Sequence, residues 1–506
     1  MGIQRIVLPL LLALAGAVKG DVRLPRLLSD HMLLQRQIPV RIWGWADPAE
    51  PVVVEFSGQV VKGRADAAGY WAVYLAPMEA GGPFQMNIQG RNKISIEDVL
   101  VGDVWVASGQ SNMVWPVNRS NRAEQEIAAA NYPQIRLFAV AAVTSEFPLE
   151  DVGGAWSPCT PEKIARMSAV AYFFARHLHG QIGVPIGVIQ SAWGATPGEA
   201  WTSSTALAND PGLASVSQSW TSILALYPEA KRRYDRQLKE WEAAVEKAKA
   251  EGQKPPPKPA EPLGPGNQRA PGVLFNAMIA PLTPYAIRGV IWYQGESNTS
   301  VKRFVYRRLF QTLIEDWRRA WNQGDFPFLF VQLASFNPGP GGGWPDLREA
   351  QTAALQLRNT GMAVAIDIGD ANDIHPKNKQ DVGLRLGRAA RAIAYGEKIV
   401  YSGPMFKQLT REGDALRVWF DHAGGGVVNR GGDLKGFVIA GADRKFVPAQ
   451  ARIERNTVVV SSPAVAEPVA VRYAWEDNPD CNLYNAEGLP ASPFRSDRWA
   501  EVFPYR

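Results

Sequence analysis

The sequence predicts an α/β protein: a parallel sheet covered by helices on both faces, flanked by a β-rich region at each end. Three observations carry this reading. Between about residues 100 and 400, short apolar runs alternate with helical stretches. Before and after that segment, β-branched and aromatic runs are cut by Gly, Pro and Asp. A chain of 506 residues is also too long for one hydrophobic core, and about three domains are expected.

The elements follow in order. Arg5 precedes an apolar run, Ile6 to Val18, that is too short to span a bilayer and ends among small residues before Asp21. This predicts a signal peptide over 1–20, cleaved after Gly20, and export to a periplasmic or extracellular space. Residues 21–99 read as a β domain, with strands Pro39–Trp43, Val52–Phe56 and Tyr70–Leu75. Residues 100–400 read as the α/β domain. Its strand candidates are Asp103–Ala107, Ile135–Val140, Ile186–Gln190, Gly289–Tyr293, Phe328–Leu333 and Ala363–Ile368. Within it, 205–270 reads as an insertion. A charged amphipathic helix from Pro228 to Glu251 carries Tyr227, Tyr234, Leu238, Trp241 and Val245 at helical spacing. The run Pro255-Pro256-Pro257-Lys258-Pro259 then forms an extended linker. The insertion is either a wall of a site or a surface excursion. Residues 401–506 return to strand-type runs (Leu416–Phe420, Thr457–Ser461, Ala470–Trp475) and close the molecule as a second β domain.

Composition narrows the partners. The net charge of +5 is mild and no basic stripe is interleaved with aromatics, so a nucleic-acid partner is not expected. Beyond the N-terminus no run is long enough for stable membrane insertion. The two cysteines, Cys159 and Cys481, cannot frame the fold, and whether they pair stays open. There is no His-Glu-x-x-His, no Cys-x-x-Cys and no dense His/Cys cluster, so neither a metal nor an organic cofactor is expected. Nothing in the sequence specifies an oligomeric state.

In an open parallel sheet, ligands bind at the carboxyl ends of the strands. Four polar, Gly-bearing segments follow predicted strands: Ser108-Gly109-Gln110-Ser111-Asn112-Met113, Ser191 to Gly198, Gln294-Gly295-Glu296-Ser297-Asn298, and Gly369 to Pro376 with His375. Together they hold a hydroxyl nucleophile, a base and N–H donors, the parts that acyl transfer needs. Of five histidines, His31 and His422 fall in the β regions and His177 and His179 late in an apolar helix, which leaves His375. Ser111 is outside the Gly-x-Ser-x-Gly elbow of the common α/β hydrolases. Glu296 and Asp373 could be imagined as a glycosidase carboxylate pair, but that reading leaves Ser111 and His375 without work.

The segments Gly109–Met113, Trp193–Pro197, Gln294–Asn298 and Asp373–Pro376, with Asn482–Pro490 and Pro493-Phe494-Arg495, resemble the sialate O-acetylesterase family, a branch of the SGNH-hydrolase superfamily. The resemblance covers almost the whole mature chain. It implies a three-layer SGNH-type catalytic domain, with sandwich-like β domains on either side. It implies Ser111 as nucleophile and His375 as general base. It implies an oxyanion hole from the N–H groups of Ser111 and Gly194 and the side-chain amide of Gln294. Gln110 and Asn112 would brace the nucleophile turn, and Glu296 and Asn298 would order their loop. One departure stands out. The superfamily places an Asp three residues before the His, where this chain has Asn372; Asp373, two before, is the candidate third member. The implied substrate is an acetylated carbohydrate, foremost the 9-O-acetyl group of sialic acid. Acetylated xylan or another hemicellulose is the alternative, and a noncatalytic carbohydrate-binding protein the alternative of another class.

Overall fold

The computed structural model describes residues 21–300 and 303–499. The expected signal peptide lies outside the described residues.

Seven strands form the spine of the main sheet: β1 (Lys93–Gly109), β2 (Tyr132–Ala139), β3 (Trp156–Cys159), β4 (Ile186–Ala192), β5 (Gly289–Tyr293), β6 (Phe328–Val331) and β7 (Thr360–Ala363). Their spatial order is β7-β6-β5-β1-β4-β2-β3, all parallel except β3, which runs antiparallel to β2 at the edge. The covering helices are α2 (Ala169–Ile182), α4 (Arg303–Trp321), α5 (Trp344–Thr352) and α6 (Lys379–Ala394); α1 (Ser111–Val114) is the single turn after β1, and α3 (Ala214–Ala250) belongs to the insertion. Val104, Trp105, Val106 and Ala107 on β1 are fully buried, as expected where helices cover both faces. On one face Gly383 and Gly387 let α6 lie close against α2; a Cβ at either would press into Phe173 or His177. On the other, Phe310 of α4 stacks on Trp292, Trp317 meets that ring edge-on, and Tyr306 stacks on Phe310. The chain leaves β1 for the β2 side and returns to the β5 side. The strand order thus reverses at β1, where α/β sheets hold their ligands.

The expected boundary at 99/100 falls inside β1. Its first half pairs with Gly81–Gln89 and its second half with β4 and β5. The N-terminal strands therefore continue the main sheet, and their core residues (Val52, Val54, Met86, Ile88) belong to one apolar cluster with those of the α/β region. The C-terminal region has a core of its own, built on Val418, Ile439, Val458 and Val471 between two four-stranded antiparallel sheets. Arg348 ties it down. Its buried guanidinium donates to the carbonyls of Leu333 and Ala334 on one side and of Glu476 and Asp477 on the other.

Two elements differ from expectation. The last strand ends at Ala363. The apolar run Val364–Ile366 is buried but off the ladder, and its carbonyls are taken by Arg385 and Ser335 instead. The insertion helix begins at Ala214 and includes Pro228, with Thr221 and Ser222 hydroxyls bonding back to carbonyls in the added turns. The proline-rich run folds back along it: Trp241 Nε1 donates to the Pro256 carbonyl at 2.8 Å, and Lys258 lies over the Trp241 ring. Cys159 and Cys481 are free thiols, each raised by burial, to about 12 and about 11. Among the described residues no helix is long and apolar enough to cross a membrane.

Candidate active site

The segments after β1, β4, β5 and β7 converge at the carboxyl edge of the sheet. Gly109 ends β1 at φ +136°, where an added Cβ would sit 2.1 Å from the Tyr293 carbonyl oxygen, so only glycine lets β1 and β5 approach this closely. Gln110 follows in extended conformation, and Ser111 opens α1. Its Oγ lies 2.9 Å from His375 Nε2 although 264 positions separate the two residues. That is proton-transfer distance. Ser111 and His375 are both partly exposed, so the pair is open to a ligand.

Burial holds the His375 imidazole below its ordinary pKa; Asp373 pulls it upward and Lys379 pushes it further down. A neutral imidazole is the form that can accept the serine proton. The other ring nitrogen, Nδ1, is 3.4 Å from Asp373 Oδ1, and the same oxygen accepts the His375 backbone N–H at 2.9 Å. Asp373 is thus a loose, half-exposed partner. Asn372 is exposed. The ring itself is fixed by Trp115, stacked on it at 5.0 Å and 15°. Trp115 escaped the sequence reading; its position four residues after a serine on a helical turn was the available signal.

Gly194 lies against the nucleophile, its pro-Cβ direction 3.5 Å from Ser111 Cβ. Among the described residues no acceptor takes the backbone N–H of Ser111 or of Gly194. Two unpaired donors, one opening a helical turn and one in the turn after β4, suit a developing oxyanion. Gln294 occupies a different place from the one expected. It is fully buried, its Nε2 donates to Asn298 Oδ1 at 2.7 Å and to the Thr196 carbonyl at 3.3 Å, and its Oε1 accepts from Tyr306 at 2.8 Å. With both amide hydrogens committed, it braces two loops and has no N–H to offer. Asn298 completes the brace, accepting from Gly198 N and donating to Glu199, another buried residue that the sequence did not single out. Gln110 Oε1 accepts from Ser297 N at 3.2 Å. Asn112 donates to Glu296 Oε1 at 2.6 Å and to the Ile374 carbonyl at 3.0 Å, and accepts from Lys379. Glu296 belongs to that network through Asn112, and desolvation raises its pKa. Among the described residues no group of His, Cys, Asp and Glu could hold a metal ion.

Comparison with known proteins identifies the family. Residues 268–392 match the family model for carbohydrate esterases described as sialic acid-specific acetylesterases. The chain is 33% identical to the sialate O-acetylesterase of Mus musculus, over 97% of both chains, and 33% identical to that of Homo sapiens, over 97% of this chain and 95% of the other. The chain belongs to the sialate O-acetylesterase family. A solved carbohydrate acetylesterase from Xanthomonas citri shares 40% identity and superposes with a TM-score of 0.81 over 95% of this chain and 100% of that one. The chain is accordingly a carbohydrate O-acetylesterase, and the noncatalytic reading is set aside. Its fold is mixed α/β on a mostly parallel sheet.

Proposed function

We propose that this esterase hydrolyses O-acetyl esters of sialic acid, foremost at the 9-O position, through an acetyl-Ser111 intermediate. The contact between Ser111 Oγ and His375 Nε2 carries the reading. His375 takes the serine proton as Oγ attacks the acetyl carbonyl. The N–H groups of Ser111 and Gly194 face the oxyanion, the protonated imidazole returns its proton to the leaving sugar oxygen, and water repeats the cycle to release acetate. Asp373 steadies the Nδ1–H tautomer loosely. Gln294, Asn298, Gln110, Asn112 and Glu296 hold the loops. The enzyme works after export, in a periplasmic or extracellular space.

The acidic sugar is supported by charge at the rim. Arg119 lies over the face of Trp115, the ring that stacks on His375, and Asn121 N donates to the Lys377 carbonyl beside His375. Arg119, Arg122 and Lys377 are exposed, and among the described residues none has an ion-pair partner. A guanidinium binds a carboxylate bidentately, a recognition that neutral acetylated xylan cannot use. The test is acetate release from 9-O-acetyl sialic acid and acetylated xylan side by side, for the wild type and for Arg119→Ala/Arg122→Ala. The sialate should be preferred, and the double variant should raise KM for it alone. Faster release from xylan would reverse the assignment.

A further inference from the structure

Lys379 is a lysine that folding alone would not select. It is fully buried and opens α6, where the positive end of the helix dipole disfavours a cation. Among the described residues no carboxylate lies within ion-pair distance of its Nζ. Its ammonium donates to Asn112 Oδ1 and lies 5.3 Å from the ring centre of Tyr293 and 5.9 Å from that of Trp115. Asn112 is the residue after the nucleophile, and its Nδ2 donates to the carbonyl of Ile374, the residue before the base. One side chain thus spans the two halves of the reacting pair, and Lys379 fixes that side chain from behind.

We propose that Lys379 is a positioning residue for acyl transfer, holding Asn112 so that Ser111 and His375 stay in register. This rests on the acyl-transfer reading above. The groups facing the ammonium are Glu296 from the segment after β5, Asp373 and His375 from the segment after β7, and the neutral rings of Tyr293 and Trp115; Arg119 and Lys377 stand further out on the rim. Burial lowers Lys379 to about 7, against the pull of Glu296 and Asp373. On the acid side of neutrality it is therefore charged, and that charge opposes protonation of His375. Removing the charge lets His375 take a proton at higher pH, so the acid limb of activity moves upward.

The experiment measures kcat, KM and the pH profile of kcat/KM on 4-nitrophenyl acetate for the wild type, Lys379→Met, Lys379→Arg and Asn112→Ala, with near-ultraviolet circular dichroism on each. Lys379→Met should lower kcat about 10²-fold at unchanged KM, the loss expected for a small misplacement of reacting groups, and should move the acid limb to higher pH. Lys379→Arg should restore the position of that limb. Asn112→Ala should lower kcat similarly without moving the limb upward, because the ammonium remains. A folded Lys379→Met with wild-type kcat and an unmoved limb overturns the proposal. Should Lys379→Met not fold, wild-type kcat in Asn112→Ala overturns it instead. Ser111→Ala separates the two readings: if it stays active the acyl-transfer reading fails, and if it is dead while Lys379→Met is normal only this proposal fails.

Discussion

Replacing Asp373 by alanine measures how much of a triad this site contains. The carboxylate oxygen stands 3.4 Å from His375 Nδ1, its side chain is 43% exposed, and it already accepts a backbone N–H. At that separation and with water-like screening, the attraction to an imidazolium is about 1.2 kcal/mol, equivalent to about an eightfold change in rate. A tight, buried triad aspartate is worth about 10⁴. The two expectations differ by three orders of magnitude, so one initial-rate series on 4-nitrophenyl acetate with purified Asp373→Ala decides between them. The expected kcat is about tenfold below wild type. Because Asp373 raises the His375 pKa, the acid limb should also move to lower pH in the variant. A loss of about 10³-fold or more would refute the reasoning and mean that the carboxylate closes on Nδ1 during catalysis.

Three further outcomes follow from the same geometry. In the wild type, kcat/KM should fall with acid below the ordinary imidazole range. The base must be neutral and burial depresses its pKa, so activity is present above that lowered value and lost as pH drops through it; a midpoint above the ordinary range, in a pH-rate profile, contradicts the assigned environment. Gln294→Ala should destabilise the fold by about 1–3 kcal/mol in urea, since Asn298 Oδ1 and the Tyr306 hydroxyl lose buried partners, with activity falling through the displaced loop; unchanged stability with a large kcat loss would restore Gln294 as an oxyanion donor. Trp115→Ala should lower kcat more than it raises KM for the neutral ester, because the ring orients His375; the opposite split would make it a substrate platform.

The site was legible where the chemistry lies close to a strand end. Buried runs such as Gly289–Tyr293 announced parallel strands, the polar segments after them held Ser111 and His375, and the family resemblance added Gly194; the structure brings all three to one edge. Hydrophobic runs report burial, not hydrogen bonding, which is why Val364–Ile366 read as strand while their carbonyls bond to Arg385 and Ser335. Composition did not reveal that β1 is one strand across residue 99, because alternating exposure over Lys93–Asp98 gives way there to continuous burial, which reads as the start of a new element. Trp115, Glu199 and Lys379 were missed for a different reason. Each contacts a neighbour distant in sequence; only Trp115, four residues after Ser111, carries a spacing that could have marked it, and a lone Glu or Lys beside a helix carries none. Gln294 was placed correctly at the strand end, but only three-dimensional contact shows that its amide is spent on Asn298 and Thr196.

The account stands on Ser111 and His375 working as one unit, and a double-mutant cycle on kcat tests that most directly. Ser111→Ala and His375→Ala should each lower kcat by about 10⁶-fold, and the double variant should lose no more than either single one. Losses that add in the double variant would show that the hydroxyl and the imidazole act separately, and would contradict the shared proton transfer from which the mechanism is built.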